Sequence, residues 1–192
     1  MLRYELSFPW NFSMKKKRYL LVIEHLVESI FPAVERIRSS YSEFSDLEVI
    51  VMARDSHKIE NSSYRNKISS VIVCDFFDEN SVKEALAPFV DDIAGVICRS
   101  DRRIQFLRRV IPFLSKDTLV PSPESLSIST NKKKMRNAFA DTFPEITPQF
   151  LKVTDASDES VAQIEKRLSY PVIIKPAQLS SSLLIQSCID GT

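Results

Sequence analysis

The sequence predicts an α/β protein: a Rossmann-like layer built on a parallel sheet, followed by a small α+β unit. Three observations lead there. Short apolar runs alternate with helix-period patterns from Tyr19 to Leu114, the order that gives a parallel sheet covered by helices. The alternation breaks at Leu119-Val120-Pro121-Ser122-Pro123, where two close prolines favour an extended connector. Past the break, apolar runs at Pro171–Lys175 and Leu183–Cys188 flank a short loop, which reads as a strand pair. The expected division is therefore 1–120 and 121–192.

Taken in order, residues 1–14 read as an extension without fixed structure. Met14-Lys15-Lys16-Lys17-Arg18 before Tyr19–Ile23 imitates a secretory signal. The apolar stretch stops at Glu24-His25, and no small-residue cleavage site follows, so it reads as a first strand with a basic lead-in. Ile30, Val34, Ile37 and Tyr41 share one helical face, with Pro32 in the first turn, where a missing N–H costs nothing. Leu47–Met52 is a second strand, and the polar stretch Arg54–Lys67 a surface loop. Val71–Cys74 is a third strand. Ser81 and Glu84 have the spacing of a capping box, with Val82, Ala85, Leu86 and Phe89 as the buried face of that helix. Ile93–Cys98 is a fourth strand. Ile104, Leu107, Ile111 and Leu114 mark another helix, kinked near its end by Pro112.

In the second segment a short helix is expected at about 131–140. Lys132, Met135, Arg136 and Phe139 lie on one side of it. Gln149–Val153 is a strand candidate. Asp158–Leu168 is a helix with Val161, Ile164 and Leu168 inward, its acids first and its bases last, as the helix dipole favours.

Composition removes several function classes. The chain has 192 residues, with 26 basic against 25 acidic side chains and a net charge of +1. No global field is present to hold nucleic acid or an anionic membrane, so neither is expected as a partner. No run approaches transmembrane length, and the cytoplasm is the expected location. Cys74, Cys98 and Cys188 are odd in number and lack CxxC spacing, so they read as small buried hydrophobes. The glycines are Gly95 and Gly191, too few for a GxGxxG turn or a Walker A loop. His25 and His57 have no partner spacing.

The most informative stretch is Tyr170-Pro171-Val172-Ile173-Ile174-Lys175-Pro176-Ala177-Gln178-Leu179-Ser180-Ser181-Ser182. An apolar strand ends in a lysine, proline stops it, and a hydroxyl-rich loop follows. Pro176 holds Lys175 extended, so the strand sets its direction. Ser180, Ser181 and Ser182 add hydroxyl and amide donors of the kind that bind phosphate oxygens. A strand-end lysine that merely carries its ammonium to water is the structural alternative. Lys132-Lys133-Lys134 is open in the same way. It is a solvated helix face, or, behind the caps Thr130 and Asn131, it sets Lys132 at an anion-attracting helix start. Arg99 and Arg102, after the fourth strand, are candidates for a substrate carboxylate. The alternative there is a helix capped by Ser100 or Asp101 with exposed arginines.

Four motifs in order resemble the ATP-grasp superfamily, closest to its carboxylate–amine ligases. They are Pro121-x-Pro123-Glu124-Ser125-Leu126, Thr130-Asn131-Lys132-x-x-Met135-Arg136, Thr147-Pro148-Gln149-Phe150 and Tyr170–Ala177. The resemblance implies a pre-ATP-grasp domain followed by the small ATP-binding subdomain. It implies ATP and Mg²⁺ as cofactors, and small carboxylate and amine substrates joined through an acyl phosphate. In that family the lysine at the position of Lys175 contacts the α- and β-phosphates and helps place the adenine. The lysine at Lys132 reaches the phosphates from the other side, and the loop matching Ala177–Ser182 closes over the triphosphate. Asn131 stands where the family often has aspartate. The family's metal ligands and adenine hinge fall after the position of Thr192, so the chain alone is expected to show little ligase activity. The other expectations are a non-catalytic interaction module that pairs with a second copy or another partner, and a small-metabolite-binding domain.

Overall fold

The computed structural model describes residues 18–24, 28–178 and 184–190. The chain divides into two compact units. One comprises Met1–Arg99 with Arg109–Val120, the other Ser100–Arg108 with Pro121–Thr192. The expectations for residues 1–14 and for the signal-like basic lead-in lie outside the described residues.

The first unit is an α/β layer. Its strands are β1 (Tyr19–Ile23), β2 (Glu48–Ala53), β3 (Ser70–Val73) and β4 (Ile93–Ile97), and its helices include α1 (Ile30–Ser40), α2 (His57–Glu60) and α3 (Glu79–Leu86). The sheet order is β3-β2-β1-β4, and every pairing is parallel. That order is compatible with a Rossmann-like core, with chain direction switching between β1 and β4. The central strands are apolar on both faces, as a sheet covered on two sides requires. Leu20, Val22, Val49 and Val51 join Ile30, Phe31 and Val34 of α1 in one cluster. Strand alternation sends Leu21, Ile23, Ile50 and Met52 to the opposite face, and all four are fully buried.

After α4 (Ile104–Val110) and a 3-10 turn at Ile111–Phe113, the chain of this unit returns beside β4. Leu119 bridges Gly95 in parallel, donating its N–H to Ala94 O at 2.9 Å and accepting from Val96 N at 3.0 Å. A Cβ on Gly95 would meet Leu119 O at 3.3 Å, so a side chain here would press on the bridging backbone.

The second unit contains α5 (Pro123–Ser129), α6 (Lys132–Thr142) and α7 (Asp158–Arg167), and the antiparallel pair β5 (Val172–Ile174) and β6 (Gln186–Cys188). Its interior is thin. Of its described hydrophobic residues only Phe106, Leu107 and Leu126 are buried, and α6 and α7 bury none.

Several local expectations are corrected. Ser81 is not an N-cap. Asp78 caps α3 by accepting from Asn80 N, and the Ser81 hydroxyl accepts from Asp75 N at 3.0 Å. Arg54–Lys67 holds α2 and a 3-10 turn. Tyr41 ends α1 as its C-cap and is exposed. Gln149–Val153 forms no strand, because no described edge pairs with its backbone. The segment after Val120 is not wholly extended, because Ser122 caps α5 by accepting from Ser125 N, with Pro123 at the first helical position. Val161, Ile164 and Leu168 are only half-buried.

Candidate functional site

The second unit brings two of the expected residues close together. β5 ends at Ile174, and exposed Lys175 and half-buried Pro176 follow. The next carbonyl, Ala177 O, accepts the backbone N–H of Lys132 at 2.9 Å. The first turn of α6 is therefore tied to the segment that leaves β5. Lys132 and Lys175, 43 positions apart in sequence, stand on the two segments joined by this bond.

The start of α6 is built by Asn131. Its side-chain oxygen accepts from Lys133 N at 3.0 Å and Lys134 N at 3.1 Å, and its carbonyl accepts from Met135 N at 2.9 Å. With the Lys132 amide on Ala177 O, the opening amides of α6 all have protein partners. An anion at this end would meet ammonium groups and the helix dipole rather than bare N–H groups. Lys134 is drawn off to Ser127 Oγ at 2.7 Å. Lys175 makes no hydrogen bond or ion pair with the described residues. Ser180, Ser181 and Ser182 lie outside the described residues.

The two arginines expected at a substrate carboxylate fall in different units. Arg99 donates from Nη1 to Ser29 Oγ at 2.7 Å, at the carboxyl end of β4. Arg102 is exposed, and its carbonyl accepts from Gln105 Nε2 at 3.3 Å. Ser100 takes the N-cap position of the 3-10 turn Asp101–Arg103, with no side-chain capping bond to that turn.

Sequence reasoning missed the ion pair at the carboxyl ends of β1 and β2. Glu24 Oε1 accepts from Arg54 Nε at 2.7 Å and from Arg54 N at 3.2 Å. The Glu24 side chain is only 9% exposed, and its backbone is left-handed, with φ of 58°. Its hydrogen bond and charge raise the pKa of Arg54. No spacing rule connects residues 30 apart, so only the parallel register of β1 and β2 reveals this pair.

Other polar groups have structural explanations. Burial pushes the Cys74 thiol up to about 11, which makes it a protonated core group. Glu48 accepts from Ser69 and Arg18, and these bonds lower its pKa. It lines a groove of about 320 Å³ with Arg38, Lys67 and Phe31. A second groove, about 430 Å³, is lined by the Thr147–Phe150 motif and Arg167. Neither groove is lined by Lys132 or Lys175.

Among the described residues, no group of three or more His, Cys, Asp or Glu is placed to hold a metal ion. No helix among them is long and apolar enough to cross a membrane. The chain matches no family model and no curated protein.

Proposed function

We propose that the chain is part of an ATP-dependent carboxylate–amine ligase of the ATP-grasp type, with the triphosphate contacts in its second unit. The observation that carries this reading is the hydrogen bond from Lys132 N to Ala177 O. It sets the two lysines that the resemblance assigns to the phosphates on adjoining segments.

The physical logic is charge neutralisation. A triphosphate tail near pH 7 is polyanionic, and fixed cations lower the cost of gathering its oxygens. Lys175 leaves β5 between Ile174 and Pro176, so its backbone direction is set before ligand arrives. Asn131 fixes the first turn of α6, and with it the position of Lys132. Ser180, Ser181 and Ser182 would close the donor set from the loop. In the proposed reaction a carboxylate oxygen attacks the γ-phosphorus and ADP leaves. An amine then attacks the acyl carbon and phosphate leaves. Arg102, in the same unit as the two lysines, is the proposed carboxylate contact. Among the described residues no group of three or more His, Cys, Asp or Glu comes together for Mg²⁺.

Calorimetric ATP binding tests this. A charge-assisted hydrogen bond contributes ~1.5–3 kcal/mol. Lys175→Ala should therefore weaken ATP binding roughly 10- to 100-fold, and Lys133→Ala should leave it unchanged. Measurable affinity that Lys175→Ala does not alter would falsify the assignment.

A second reading, a non-catalytic interaction module, has its own supporting observation. Ile146, Ile173, Leu184 and Ile189 of the second unit are all more than 60% exposed.

A further inference from the structure

We infer that the groove at the amino ends of β2 and β3 binds a small monocarboxylate with an apolar body. It lies in the first unit, so the inference does not rest on the triphosphate contacts proposed for the second.

The groove holds about 320 Å³, at the lower end of the size range of small-molecule sites. α1 forms one wall, the start of β2 lies at the bottom, and residues 66–69, which lead into β3, form the other wall. Its floor is apolar, from the buried side chains Phe31, Val34, Val49 and Ile68. The Phe31 ring is braced from behind by Tyr64, with centroids 5.8 Å apart.

The polar rim decides the ligand. Two carboxylates line the groove, and each already has an arginine. Glu35 Oε1 accepts from Arg38 Nη1 at 2.6 Å, and Arg38 Nε is fixed on Leu47 O at 2.7 Å. Glu48 accepts from Ser69 and Arg18. Lys67 is the cation left over. Among the described residues its ammonium has no acid and no hydrogen bond, and Nζ stands 5.3 Å from the Phe31 ring centroid. The adjacent Asn66 carboxamide likewise has no partner among the described residues. Arg18, Arg38 and Lys67 against Glu35 and Glu48 leave one surplus positive charge.

That balance complements a single negative charge. A carboxylate can accept from the Lys67 ammonium and from the Asn66 N–H together, and such charge-assisted bonds are the stronger kind. A phosphate dianion would meet the same donors with Glu35 and Glu48 opposing its second charge. The apolar floor favours a hydrocarbon body behind the carboxylate. Open parallel sheets collect ligands at the carboxyl ends of their strands. This groove is at the opposite ends, so it is a site additional to that crevice.

The test titrates the whole chain with hydrocinnamate, a phenyl ring on a short carboxylate arm, followed by NMR. Saturable shifts should centre on the amides of residues 66–69 and of the second half of α1. Hydrocinnamide has the same shape without the charge, and should bind roughly 10-fold more weakly or worse. Lys67→Gln, at an exposed position, should keep the fold and bind acid and amide alike. Arg36→Gln, exposed on α1 and outside the groove, should keep the preference for the acid. Absence of saturable shifts at millimolar hydrocinnamate would overturn the site. So would equal binding of acid and amide by the parent chain, or a Lys67→Gln variant that still prefers the acid. Phenyl phosphate binding more tightly than hydrocinnamate would overturn the ligand class.

Discussion

Replacing Asn131 by alanine probes the one device that fixes the start of α6. The side-chain oxygen of Asn131 satisfies two amides, those of Lys133 and Lys134. Loss of such a cap costs about 0.5–2 kcal/mol, typically ~1. Two features make that cost visible here. α6 is 11 residues long and buries none of them, so packing contributes little, and isolated helices of that length are marginal. A loss of ~1 kcal/mol raises the population of the opened helix about five-fold. Hydrogen exchange of the Met135–Phe139 amides, followed by NMR, should accelerate by about that factor. Asn131→Asp keeps the acceptor and adds a charge that the helix dipole favours, so its exchange should match or undercut the parent. The Lys132 amide is an internal control, because its partner is Ala177 O rather than Asn131. If that amide also loses protection fully, the whole unit has opened rather than the cap. Alanine with unchanged exchange, or aspartate as damaging as alanine, would refute the role given to Asn131.

The remaining predictions concern the frame around the site. Hydrogen bonds from Ser157 and then Ser160 hold the Asp155 carboxylate down at about 2, against an ordinary 3.8. The stabilisation is complete above the unfolded pKa and is lost as pH falls through the folded one. The α7 circular dichroism signal should therefore weaken between about pH 4 and pH 2, and Asp155→Asn should remove that step from the titration. At Gly95 a Cβ would stand 3.3 Å from Leu119 O and 3.5 Å from Leu119 Cβ. Gly95→Val should destabilise by about 1–3 kcal/mol in urea unfolding, with Gly95→Ala costing less. Equal stability of the valine variant and the parent would show that the Leu119 bridge yields freely.

The parallel layer was legible because its signal is local and redundant. Tyr19–Ile23, Leu47–Met52, Val71–Cys74 and Ile93–Cys98 each read as an apolar strand, and the structure places a parallel strand within a residue of each. Helix ends were less legible, because a cap is a competition among neighbours. Ser81 and Glu84 have capping-box spacing, yet Asp78 lies three residues earlier and takes the role. The α5 start was present in Ser122-Pro123, a cap followed by a first-turn proline, and was hidden by reading both prolines as a connector. Gln149–Val153 has strand composition, but a strand exists only where an edge accepts it.

Residue chemistry alone singled out Lys132 and Lys175, each as a cation beside a structural breakpoint. Sequence also dictated that β1 and β2 be apolar on both faces, since their residue pattern suits no half-exposed sheet. Tertiary structure alone decided that Lys132 N meets Ala177 O, that Glu24 meets Arg54, and that Arg99 and Arg102 belong to different units. Local propensity acts over a few residues, whereas these contacts join positions tens of residues apart. Their geometry exists only once chain topology and strand register have brought the segments together.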